Sequence, residues 1–158
     1  MKKNIFLVLT FSMLLLISAC GKNYRIKPDH DQIVLNENEG FLGFMVESLD
    51  NLGNIQMKNV QNNDIFYVGS AKKGGSLILA KLIEGEYCLV GFDVYNLHIN
   101  YEDQGFCTFV ESGEINYFGE FIVRNPITTL TTRFKKFVIK LNTDFPTLCS
   151  QFIGESCQ

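Results

Sequence analysis

Two histidines, several carboxylate pairs, a glycine pair behind two lysines and a set of cysteines are the residues here whose chemistry could matter. His98 follows Asp93 and precedes Glu102 and Asp103, which together hold the ingredients of a general base or a metal ligand set. Side chains alternate between faces along a strand, so those groups need not converge, and a surface or half-buried histidine is expected. His30 stands in Asp29-His30-Asp31, which could attract a metal ion but reads as a polar spacer. Glu84 with Glu86, Glu102 with Asp103, and Glu111 with Glu114 are paired acids. Glycoside hydrolysis needs two carboxyls about 5 to 9.5 Å apart across a cleft, and none of these pairs implies one. Gly74-Gly75 after Lys72-Lys73 lacks the Gly-x-x-x-x-Gly-Lys-Ser/Thr order that cradles phosphate, and reads as a turn. Cys88, Cys107, Cys149 and Cys157 include no Cys-x-x-Cys, have no histidine beside them and match no structural zinc spacing. No catalytic residue, metal site or cofactor is expected, and the chain reads as not an enzyme.

Address is written more plainly than activity. Lys2 and Lys3 give a positive start, Ile5 to Ile17 is an almost unbroken apolar run, and Ile17-Ser18-Ala19-Cys20 closes it with small residues before a cysteine. A transmembrane helix needs roughly 20 apolar residues, more than this run supplies. An ordinary peptidase site is the other alternative. The layout of Met1 to Cys20 resembles a bacterial lipoprotein signal peptide. That resemblance implies cleavage before Cys20, a diacylglycerol thioether on its sulfur and acylation of the new N-terminus. Buried methylenes contribute about 0.8 kcal/mol each, so two or three acyl chains would anchor the chain to the membrane for good. Gly21 rather than aspartate follows the cysteine, which by analogy with lipoprotein sorting implies the outer membrane.

The four later cysteines are an even number in an exported chain and point to two disulfides. Three pairings are possible. Cys88 with Cys107 would join two strands, and Cys149 with Cys157 would close a short C-terminal loop; this is the preferred pairing. Losing Lys2 and Lys3 with the leader moves the net charge from −3 to −5. Phosphate neutralisation needs clustered Lys and Arg, so nucleic acid is not expected as a partner.

Residues 1–19 are therefore read as leader, 20–38 as lipidated N-terminus and polar tether, and 39–158 as one domain. Within it, Phe41 to Glu47, Ile55 to Val60, Ile65 to Val68, Ser76 to Leu82, Glu86 to Phe92, Phe106 to Val110 and Ile115 to Val123 read as short strands. Ile83-Glu84-Gly85 and Glu111-Ser112-Gly113-Glu114 read as hairpin turns between them. In the strand around Tyr117, simple alternation puts Ile115, Tyr117, Phe121 and Val123 on one face, with Phe118 and Ile122 on the other. Phe134, Phe137, Val138 and Leu141 recur at three and four residues, which predicts one amphipathic helix. Thr131 or Thr132 would cap it and Pro146 would end it by about Phe145. The fold expected is mainly β, an antiparallel β-sandwich with one C-terminal amphipathic helix that packs on a sheet.

Leu82-Ile83-Glu84-Gly85-Glu86-Tyr87, with Phe109-Val110-Glu111-Ser112-Gly113-Glu114-Ile115-Asn116-Tyr117, resembles envelope lipoproteins of the DUF2846 kind and the transthyretin-like sandwich modules of carboxypeptidase regulatory regions. Glu84 stands where those modules usually carry proline. The resemblance implies a β-sandwich and an envelope context, with no catalytic residues to carry over. The function expected is a non-enzymatic interaction or scaffolding module, held by the lipid on Cys20 and docking on an envelope protein partner. A ligand-binding or inhibitor lipoprotein is the alternative, and an envelope hydrolase depending on His98 the least favoured.

Overall fold

The computed structural model describes residues 24–28, 33–124 and 127–157. It is mainly β, with two sheets packed face to face and helices against the outer face of one of them. The strands are β1 (Glu39–Ser48), β2 (Leu52–Asn59), β3 (Ile65–Ala71), β4 (Gly74–Ile83), β5 (Gly85–Val94), β6 (Leu97–Asn100), β7 (Cys107–Val110), β8 (Ile115–Arg124) and β9 (Ile127–Thr131). Helices α1 (Phe134–Asp144) and α2 (Pro146–Ile153) follow. One sheet has the order β4-β1-β8-β9; the other has β3-β2-β5-β6, with β7 paired to the first half of β5. Among the described residues every pairing between strands is antiparallel except that of β1 with β8.

β1 explains why one sheet is buried on both faces. Its sequence is almost continuously apolar, as expected of a central strand covered on two sides. Leu42, Phe44 and Val46 point into the space between the sheets, while Phe41 and Met45 point to the helices. Gly43 lies on the helix side, where a Cβ would stand 2.7 Å from the ring of Phe137. The missing side chain lets α1 lie directly on the strand. Phe137, Val138 and Leu141 are its buried stripe, and the Phe137 ring also meets that of Tyr117 at 4.6 Å.

The helix expected from the apolar spacing is present, but Arg133 precedes it instead of a threonine cap. Thr131 is already committed to β9, opposite Glu120. Pro146 ends α1 and also starts α2, because proline at a first helical position sacrifices no intrahelical hydrogen bond. The single C-terminal helix thus becomes a pair.

Both expected hairpin turns are corners. The chain leaves β4 at Ile83 and enters β5 at Gly85, yet those strands belong to different sheets. Residues 111–114 likewise carry the chain from β7 in one sheet to β8 in the other. Gly85 has φ of +155°, a conformation open to glycine and strained for other residues. The face assignment in β8 is also corrected. Gly43 pairs with Tyr117 and Phe44 with Gly119, so Phe118 is an extra residue, a β-bulge. Beyond the bulge the alternation reverses. Phe118, Phe121 and Val123 fill the inner core, while Ile115 and Tyr117 face the helices.

The segment read as a tether is in part built into the fold. Ile26 N–H donates to the Leu79 carbonyl at 2.8 Å, and Lys81 N–H donates to that of Tyr24 at 3.2 Å. Arg25 lies opposite Ala80 and donates to the Ser70 carbonyl of β3 at 2.6 Å. An edge strand offers unpaired backbone groups, and this segment covers those of β4.

Candidate functional site

Cys20 and the Asp29-His30-Asp31 triplet lie outside the described residues. The other cysteines form Cys88–Cys107 and Cys149–Cys157. Cys88 and Cys107 sit directly opposite each other on β5 and β7, and the second bridge ties the end of the chain to α2. Closing a loop of 19 residues removes denatured-state entropy worth about 3 kcal/mol.

His98 meets Asp93 after all, because β5 and β6 place them opposite each other. Its Nδ1 lies 2.8 Å from Asp93 Oδ1, and Asn54 Nδ2 donates to Asp93 Oδ2 at 2.5 Å. Both neighbours hold the Asp93 carboxyl below the usual aspartate range, His98 the more strongly. Glu102 turns away to Lys58 at 3.7 Å. Glu84, Glu86, Glu111 and Glu114 are all exposed. Among the described residues no group of three or more His, Cys, Asp or Glu side chains converges on a metal-sized space.

The best-developed charge cluster is one that sequence reading missed. Glu120, on the helix side of β8 beyond the bulge, is fully buried. Lys136 donates to its Oε1, and Arg133 Nη1 approaches its Oε2 at 3.3 Å without hydrogen-bond geometry. Lys136 also donates to Glu47 Oε2 at 3.1 Å, and Arg124 to Glu47 Oε1 at 2.9 Å. The cluster fastens the first turns of α1 to β1 and β8. One acid inside Phe118 to Val123, an otherwise apolar stretch, was the available signal, but the bulge that aims it at the helix was not legible.

Hydrogen bonds from Arg124 and then Lys136 hold the Glu47 carboxyl below its ordinary 4.5, and the hydrogen bond to Glu120 raises Lys136 above its ordinary 10.5. A depressed carboxyl contributes stability that is complete above its unfolded value and is lost as pH falls through the folded one. A raised ammonium contributes stability that is complete below its unfolded value and is lost as pH rises through the folded one. The urea midpoint should therefore be level between these limits and fall on both sides. In Glu47→Gln the acid limb should shrink; an unchanged limb would remove Glu47 from the account.

A second feature lies where Gly85 turns the chain between sheets. There an open groove of about 610 Å³ is bordered by the β2–β3 turn, the β4–β5 corner, the start of β1 and Phe109. Tyr24, Phe66 and Tyr87 form an aromatic row, with ring centres 4.8 and 5.7 Å apart. Burial pushes the Tyr87 hydroxyl up, and it donates to the Ile83 carbonyl at 2.8 Å. The polar rim is Asn38, Asn59, Gln61, Asn62, Asp64 and Glu84. Asn59 Oδ1 accepts from the backbone N–H groups of Gln61 and Asn62 at 2.9 and 3.2 Å. Asn62 in turn accepts from Asp64 N–H and donates to its carboxylate, both at 2.9 Å.

Comparison with known protein families, with characterised proteins and with solved structures finds no match for this chain.

Proposed function

We propose that this chain is a lipid-anchored protein of the bacterial cell envelope, with a folded domain that serves as a non-enzymatic interaction module. One observation carries the reading. The chain has five cysteines, and the four after the leader pair with one another. Cys20, at the end of the apolar run, is the thiol left over for a lipid. Gly21 behind it supports delivery to the outer membrane. The interaction role is supported by where the ionisable groups are spent: Glu120, Glu47, Arg133 and Lys136 join a helix to a sheet. The sheet that carries no helix presents Ile65, Tyr67 and Phe109 to solvent, surface on which a partner can dock.

Cys20→Ser is the test. With the native residue, intact mass should show the acyl chains and the chain should pellet with membranes; the variant should lack them and appear in the soluble fraction. A correctly cleaved product with an unmodified Cys20 would overturn the anchor. Crosslinking in intact cells, beside an unrelated lipoprotein, should recover one envelope protein at near-stoichiometric level. Recovery of nothing above the control would overturn the interaction role.

A further inference from the structure

The groove at the β4–β5 corner has a chemistry of its own. Its polar lining is dominated by amides, each of which donates and accepts, and among the described residues no Lys, Arg or His borders it. A phosphate, sulfate or carboxylate ligand would meet Asp64 and Glu84 with no cation to offset their charge. The apolar lining is mainly aromatic, beside Leu82 and Ile83, with Phe109 about half exposed at the rim. A ligand that matches must carry many neutral hydroxyls and also an apolar face. A pyranose ring does both, through its equatorial hydroxyls and its axial C–H face. The volume is that of a small-molecule site, and the open side lets a chain enter without threading its end.

Part of the rim is held in place before any ligand arrives. Asn59 and Asn62 spend their side-chain oxygens on the turn itself, which fixes its shape and lowers the entropy that binding must give up. Other groups remain for a ligand. Among the described residues the side-chain amides of Asn38 and Gln61 make no hydrogen bond. Gln61 lies over Gly85, where a Cβ would come within 3.0 Å of its Oε1. Glycine at that corner therefore leaves room for the amide that faces the groove.

We propose that this groove binds a neutral saccharide chain, with Asn38, Gln61 and Glu84 taking its hydroxyls and Phe109 packing on a ring face. The site does not depend on the lipid at Cys20 or on a protein partner. The test uses the full chain in a sugar-free detergent, titrated with cellohexaose and with chitohexaose, with binding followed by calorimetry and by amide chemical shifts. Saturable binding of at least one hexasaccharide is expected, with the shifts concentrated on residues 59–64 and 83–87. The double variant Asn38→Ala/Gln61→Ala, and Phe109→Ala separately, should each weaken binding about tenfold, equivalent to roughly 1.4 kcal/mol. All three side chains are exposed or half-exposed, so the melting midpoint should hold and report that the fold is intact. No saturable binding of either sugar would overturn the proposal. So would binding that both variants leave unchanged, or tighter binding of spermine than of the sugars, which would make the groove an amine site.

Discussion

Phe137→Ala is expected to destabilise the folded chain by about 3–5 kcal/mol, the range for removing a fully buried phenylalanine. Its ring is inaccessible to solvent and lies over the bare backbone of Gly43, between Leu79 and Tyr117. Nothing nearby can refill that space without moving the helix, because the strand beneath has no side chain there. Phe134 belongs to the same apolar series in the sequence but is about half exposed, on the edge of the Tyr117 and Phe137 rings. Phe134→Ala should cost about 1 kcal/mol, mostly lost ring contact. Urea unfolding of both variants decides the matter. Equal costs would mean that α1 does not rest on β1 through Phe137.

Lys136→Met should cost about 2 kcal/mol, because it strands the buried Glu120 carboxylate with only the imperfect contact from Arg133. The double variant Glu120→Leu/Lys136→Met should recover much of that loss, since the unpaired charge disappears and an apolar side chain takes its place. Lys140→Ala provides the contrast. Its partner Asp144 is one turn along on the same helix and both are partly exposed, so the change should fall within about 0.5 kcal/mol. Thermal or urea unfolding across the cycle measures the coupling directly. Additive single costs, with no recovery in the double variant, would show that the buried carboxylate imposes no penalty when left unpaired.

The parts of this molecule that were legible beforehand are those governed by short-range rules. Seven of its strands were visible because β-branched and aromatic residues alternate between Gly and Asn breaks, and α1 because its apolar residues repeat at three and four. β6 and β9 were not. Leu97 to Asn100 is short and carries His98 and Asn100, and the stretch Ile127 to Thr131 is rich in threonine with a weak apolar pattern. The segment around Ile26 was read as a tether for a related reason: its polarity conceals a strand-like contact that exists only because the β4 edge lies beside it.

By itself the sequence determined the β class, the position of α1 and the even number of cysteines after Cys20, all of which rest on composition and local spacing. Only the tertiary structure decided which sheet each strand joins, and so turned two apparent hairpins into corners. It alone decided that one extra residue at Phe118 sends Glu120 to the helix, and that the corner at Gly85 opens a groove beside the Asn59 turn. The physical reason is the same in each case. Alternation along a strand states that two faces exist, but not what lies on either of them. Sheet membership, the register across a bulge and the lining of a groove depend on strands distant in the chain, whose contacts no local pattern encodes.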